Sequence, residues 1–120
     1  NENADKIKAK IVFELANGPT TNEGDKILQD KGIKVVPEIL ANSGGVVVSY
    51  FEWLQNRNAE QRTLKQVNHD LKMKMQYATQ KVLEIHLSHK IPMRTAAYVL
   101  ALKRLSESIE SLGNKDYFEV

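Results

Sequence analysis

Asn17 and Asn42 each follow a short apolar run and open a polar, glycine-bearing loop: Ala16-Asn17-Gly18-Pro19-Thr20-Thr21 and Ala41-Asn42-Ser43-Gly44-Gly45. Gly44 and Gly45 carry no Cβ, so other backbone or a flat ligand can approach closely there. Asn42 and Ser43 favour capping, which predicts a helix N-terminus at the two glycines, with unpaired N–H groups and a partial positive charge. Val46, Val47 and Val48 follow, then Ser49, a lone hydroxyl in an apolar run that needs a partner. The plain reading is a loop entering a buried helix, with Ser49 bonded to its own backbone. Either loop alone is only a turn. Two of them at the carboxyl edge of parallel strands mark a ligand crevice.

Other constellations point to less. His86 and His89 are three residues apart, with His69 further back, but no cysteine and no acidic cluster accompanies them. Solvated histidines at a helix end explain them better than a metal site. Lys65, Lys72, Lys74, Lys81, Lys90, Arg94, Lys103 and Arg104 are interspersed with acidic residues. A net charge of +2 over 120 residues does not argue for nucleic acid. The six glycines never fall in a G-x-G-x-x-G spacing, so no pyrophosphate-binding loop is encoded. The absence of cysteine excludes disulfides and thiolate chemistry and fits a reducing compartment. No apolar run is long enough to span a bilayer, and the first residues lack a signal-peptide pattern. With no initiator Met, the expectation is a chain processed or cut from a longer one.

The elements that must position these residues follow from periodicity. Ile11-Val12-Phe13 reads as a strand buried on both faces, closing at Glu14-Leu15. Gly18-Pro19 breaks it, and Thr20 with Glu23 forms a capping-box pattern for a helix from about Asn22 to Asp30. Its contacts are led by Ile27 and Leu28, and Gly32 is the stop. Ile33–Val36 is a second strand ended by Pro37. Strand, helix and strand in this space make a βαβ unit with parallel neighbours. A helix from about Gly44 or Gly45 to Asn56 comes next. Leu64, Val67, Leu71, Met75, Ala78, Val82 and Ile85 then recur every three or four residues, one stripe of a long helix over about Ala59–Leu87. Tyr77 lies just off the stripe, and Asp70 and Lys74 stand at a supporting spacing. Pro92 opens a last helix from Met93 to Leu112. The helix is apolar all round through Ala96–Leu102 and therefore expected to be buried there. Gly113 is its stop, before a polar and aromatic tail at Asn114–Val120. The fold class is α/β: short parallel strands in a βαβ unit, then long α-helices.

Read with their flanks, the loops carry a resemblance. Phe13–Thr21, Val36–Trp53 and His89–Tyr98 are similar, in order and spacing, to the C-terminal third of hexameric NAD(P)-dependent glutamate dehydrogenases, within the glutamate/leucine/phenylalanine/valine dehydrogenase family. The similarity runs from about Asn3 to Gly113. It implies that residues 1–56 form the last part of a Rossmann-type dinucleotide-binding domain. Residues 57–120 would be a helical segment returning toward the substrate domain. It implies that Asn17, Asn42, Gly44 and Gly45 line the nicotinamide pocket of NAD or NADP. Val46 would lie beside the aliphatic chain of glutamate, and Ser49 would donate to its distal carboxylate. Relatives acting on apolar amino acids carry an apolar residue at the Ser49 position, so Ser49 favours glutamate and 2-oxoglutarate. Leu15 stands where the family usually has Gly, and Ser43 where it commonly has Ala. Neither change removes a polar contact.

The resemblance also implies what this chain does not supply. The catalytic lysine and carboxylate belong to the family's N-terminal domain, so no catalytic residue is expected here. Lys90 and Glu52 have other places in the pattern. The implied protein is a cytoplasmic homo-oligomer that binds neither nucleic acid nor membrane, and the chain by itself is expected to be inactive. The competing expectation is a non-enzymatic relative whose long helices serve as an interaction or oligomerisation module.

Overall fold

Two three-residue strands with β-branched centres, β1 (Ile11–Phe13) and β2 (Lys34–Val36), pair in parallel, with Val12 opposite Val35 and Phe13 opposite Val36. The chain between them is α1 (Asn22–Asp30), which completes the expected βαβ unit. The structure, a computed structural model, describes residues 3–111. A single 3-10 turn at Ala4–Lys6 precedes β1. After β2 come α2 (Glu38–Ala41), α3 (Gly44–Asn58), α4 (Leu64–His89) and α5 (Met93–Ser111). The expected end of the last helix at Leu112, the Gly113 stop and the tail at 114–120 lie outside the described residues.

Local signals fix α1 at the expected bounds, although its cap sits one residue later. The Thr21 hydroxyl accepts from the Gly24 N–H at 3.2 Å. Thr20 is unavailable as a cap because its hydroxyl donates to Glu14 Oε1 at 2.5 Å. At the other end Gly32 takes φ +70° and donates to Gln29 O at 2.8 Å, while Ile33 N–H reaches Leu28 O at 2.9 Å. This left-handed Schellman stop is open to glycine at little cost.

The long helix begins at Leu64 rather than Ala59. Ala59 itself is left-handed, at φ +53°, and ends α3. Thr63 then caps α4 in a full capping box with Gln66. Asp70 pairs with Arg62 at 3.0 Å and not with Lys74, because the capping turn swings the guanidinium back over the first turns of α4. Tyr77 stays on the surface, beside the Arg104 guanidinium and the Lys81 ammonium. The short α2 was not legible as a separate element. Pro37 at its N-cap and Glu38 in its first turn are the signals that mark it.

Two small apolar clusters sit on opposite faces of the sheet, as successive strand residues require. Val12 and Val35 pack with Ala4, Leu28 and Ile33. Val36 joins Leu40, Val82, Ala96 and Ala97, where α2, α4 and α5 meet. The expectation of a strand buried on both faces is corrected for β1. Ile11 is 47% and Phe13 64% exposed, because α5 covers β2 and leaves the same face of β1 bare. The expectation that α5 is buried all round through Ala96–Leu102 fails in the same way. Ala96 and Ala97 are buried, whereas Tyr98, Val99 and Leu102 are exposed, since only one face of α5 meets the chain. Among the stripe residues of α4, Leu64 is also exposed. The radius of gyration is 17.6 Å, against about 13 Å for a compact domain of this size. The helices extend outward rather than closing over the sheet.

Candidate functional site

The two polar loops meet beyond the carboxyl ends of the strands. Asn42 Nδ2 donates to Asn17 Oδ1 at 2.8 Å and to Leu15 O at 3.1 Å. One side-chain amide thus ties the loop after β1 to the turn that leads into α3. α3 begins at Gly44, as expected, but Ser43 does not cap it. Ser43 has helical dihedrals, and its hydroxyl donates back to Leu40 O at 2.8 Å. Asn42 O receives the Gly45 N–H instead, at 3.3 Å.

The two glycines differ in what surrounds them. A Cβ at Gly44 would meet Leu71 and Met75 at 3.6 and 3.9 Å, ordinary contact distances. A Cβ at Gly45 would meet nothing within 4 Å. No packing among the described residues calls for a missing side chain at Gly45. The space beside it is open and can admit a flat ring against the backbone.

Val46 and Ser49 are three apart in α3, so they share one face of that helix. Val46 is 75% exposed, and Ser49 is exposed with no hydrogen bond to its hydroxyl among the described residues. The plain reading of Ser49, a hydroxyl satisfied by its own backbone in a buried helix, is therefore corrected. Phe51 is the buried residue of α3, and the helix turns the Val46 and Ser49 side outward. Val46 also borders a groove of about 940 Å³ between α3, α4 and α5, whose lining includes Tyr50, Tyr77 and Arg104. Asn17, Asn42 and Ser49 lie outside that groove.

Behind the loops stands a cluster that the sequence reading did not assemble. Glu14 closes β1 in phase with Val12, so its carboxylate points inward, and it is 3% exposed. Arg94, in the first turn of α5, donates to three carboxylates. Nη2 reaches Glu14 Oε1 at 2.8 Å, Nε reaches Asp25 Oδ2 at 3.1 Å, and Nη1 reaches Glu38 Oε2 at 2.5 Å. Glu14 Oε2 also accepts the backbone N–H of Glu38 at 3.2 Å. Every buried side-chain polar atom among the described residues has a partner. The available signal was Glu14 itself, an acidic residue at an inward strand position, which requires a cation from elsewhere in the chain.

Burial pushes the Glu14 carboxyl upward, but hydrogen bonds from Arg94 and Thr20, with Glu38 adding to them, outweigh it and hold the group at about 2 instead of 4.5. Bonds to Glu14 and then Asp25 raise Arg94, against its own desolvation. A depressed carboxylate stabilises the folded state above its unfolded value and loses that contribution as pH falls through its folded value. An acid titration followed by circular dichroism should therefore show a loss of stability between about pH 4.5 and about pH 2. Glu14→Gln should remove that part of the pH dependence; an unchanged acid limb in the variant would assign it to other groups.

His86 and His89 are not drawn together as ligands. His86 Nδ1 contacts Ile91 O, and His89 Nδ1 lies 3.2 Å from Ile85 O, each at its own place in the helix end. Among the described residues no group of three or more His, Asp or Glu could hold a metal ion. No helix among them is long and apolar enough to cross a membrane.

A parallel βαβ unit with two amide-bearing loops joined over its carboxyl edge, followed by long helices, makes this an α/β chain. The chain belongs to the glutamate/leucine/phenylalanine/valine dehydrogenase family, whose model matches residues 1–113. It is 49% identical over 118 residues to an NADP-specific glutamate dehydrogenase from Synechocystis, covering 98% of this chain and 28% of that protein. It is 47% identical over 112 residues to the NAD-specific glutamate dehydrogenase A of Halobacterium salinarum, covering 93% of this chain and 26% of that protein. Among solved structures, glutamate dehydrogenase from Peptoniphilus asaccharolyticus superposes with a TM-score of 0.87 at 41% identity, over 93% of this chain and 28% of that one. The leucine-bound hetero-hexameric glutamate dehydrogenase of Thermus thermophilus gives 0.84 at 30% identity, over 88% of this chain and 26% of that one. The chain thus spans little more than a quarter of the length of these relatives.

Proposed function

We propose that this chain is part of an NAD(P)-dependent glutamate dehydrogenase. The reaction is the oxidative deamination of L-glutamate to 2-oxoglutarate and ammonia, with reduction of NAD or NADP, and its reverse. The observation that carries this reading is the Asn42–Asn17 amide bond, which sets the two loops side by side next to the open backbone of Gly45. In this reading Asn17, Asn42 and the Gly44-Gly45 backbone form one wall of the nicotinamide pocket. Val46 packs beside the aliphatic chain of glutamate, and the free Ser49 hydroxyl donates to its distal carboxylate. The dinucleotide supplies hydride acceptance when bound; these residues bind and orient.

Residues 1–56 then belong to a Rossmann-type dinucleotide domain and residues 57–120 to a helical return toward the substrate domain, the change falling in the last turn of α3. The working protein is a cytoplasmic homo-oligomer, a hexamer by the family's habit, with no nucleic-acid or membrane partner. The pyrophosphate loop and the catalytic lysine and carboxylate come from outside this chain. The isolated chain is accordingly expected to form no NAD(P)H from glutamate. Grafting it in place of the matching segment of the Peptoniphilus enzyme should retain glutamate-dependent reduction of the dinucleotide. Turnover by the isolated chain would overturn the division of labour. A graft that folds but prefers leucine or phenylalanine would overturn the substrate.

The second reading, a non-enzymatic helical interaction module, is favoured by the exposed apolar residues of α3 and α5, among them Tyr50, Trp53, Tyr98, Leu102 and Leu105. Apolar surface drives association where it is contiguous over several hundred Å². Light scattering should find the isolated chain self-associated if it is such a module; a stable monomer would count against that reading.

A further inference from the structure

The Arg94 cluster has no place in the binding wall just described, yet its bonds end on the two segments that carry that wall. Glu14 is the residue before Leu15, whose carbonyl accepts from Asn42. Through Oε1 it also holds Thr20, so its carboxylate closes the loop that bears Asn17 at both ends. Through Oε2 it holds the Glu38 N–H, the first residue of α2, whose four residues lead directly to Asn42. Arg94 bonds the Glu14 and Glu38 side chains together and adds Asp25 from α1. Glu14, Asp25 and Glu38 therefore converge on a single guanidinium, with side chains 1%, 15% and 14% exposed.

We propose that Arg94 is a positioning residue for the nicotinamide wall: it fixes the spacing between the Asn17 loop and the α2–Asn42 turn by holding Glu14 and Glu38 on one guanidinium. This rests on the reading that those loops face the nicotinamide. Arg94 touches neither Asn17 nor Asn42; it acts through the carboxylates. Without the cation, three poorly solvated like charges repel, and the cheapest relief is to move α2 away from the end of β1. That motion separates Asn42 from Asn17 and Leu15, whose mutual bonds lie at the exposed rim. Lysine can meet one carboxylate as a point charge but not three in a planar fork. The order of disturbance is therefore wild type, then Arg94→Lys, then Arg94→Gln.

Two measurements test this. In the chain itself, the Asn42 side-chain amide protons are followed by NMR, with circular dichroism as the check that each variant is folded. These resonances should move toward solvent-exposed values in Arg94→Gln, and partway in Arg94→Lys. In the complete enzyme, kcat for glutamate should fall about 10- to 100-fold in Arg94→Gln and less in Arg94→Lys, since a displacement near 1 Å at a positioning group costs up to about 10²-fold. Dinucleotide affinity should stay within about twofold, because the pyrophosphate is held elsewhere. Should Arg94→Gln fail to fold, Arg94→Lys alone decides. Unmoved Asn42 amides in a folded variant overturn the positioning role. Moved amides with unchanged kcat overturn it through the reading beneath, by showing that the loops do not serve the reaction.

Discussion

In the complete enzyme, Ser49→Val should lower kcat/KM for glutamate by about 10- to 100-fold, the range expected when a hydrogen bond to a charged group, worth about 1.5–3 kcal/mol, is lost. Use of an apolar amino acid of similar length, such as norvaline, should fall far less or rise. A site built to bond a polar substrate group discriminates strongly against an analogue that lacks it, and removing the donor removes that discrimination. The fold gives the experiment a clean background. Ser49 is exposed on α3 and makes no hydrogen bond within the described chain, so the substitution breaks nothing internal. Valine is close to serine in helix propensity, so α3 itself should persist. The measurement is the ratio of kcat/KM values for glutamate and norvaline in wild type and variant. An unchanged ratio would show that Ser49 does not contact the distal carboxylate.

Glu14→Ala should cost the fold about 3–5 kcal/mol, the usual penalty for breaking one member of a buried ion network. The Thr20 hydroxyl and the Glu38 backbone N–H lose this acceptor, and the Arg94 guanidinium loses one of its three carboxylates. The loss is far above that of a surface pair such as Lys81–Glu84, which holds its geometry in open solvent and contributes little. Urea unfolding of the chain, followed by helix content, measures the difference directly. Glu14→Gln should lie between wild type and alanine, since an amide oxygen still accepts while the charge is gone. A loss below about 1 kcal/mol for alanine would mean that water or rearranged carboxylates replace Glu14 readily.

How much of this was legible in the sequence depends on the range of the interaction concerned. α1 kept its expected bounds because its start and stop are set by neighbours in sequence, with Thr21 at one end and the Gly32 turn at the other. The α4 stripe was legible for the same reason, since a helix displays its burial face as a local period. The exposure of Phe13 and Tyr98 was not legible. An apolar side chain records that a cover suits it, not whether the cover is supplied by this chain. The Arg94 cluster was least legible of all. Its bonds span 56, 69 and 80 residues, and no spacing rule links an arginine at a helix start to three such distant carboxylates. In the site, the two loops and the glycines were legible as turn chemistry. That Asn42 would bond Asn17, and that Ser43 would turn back to Leu40 rather than cap α3, depended on how the loops meet in space.

The length of α4 has a mechanical consequence. Its 26 residues make a rod of about 39 Å, joined at one end to α5 through the left-handed Lys90 and carrying α3 against its other half. A tilt of about 5° at the Lys90 end would sweep the Leu64 end through about 3 Å by the same length. The rod passes beside Ser43, whose hydroxyl lies 3.5 Å from Met75 Sδ midway along it. A change of angle at Lys90 would therefore displace the Leu64 end, with the α3 residues packed on it, far more than the Arg94 cluster near the pivot.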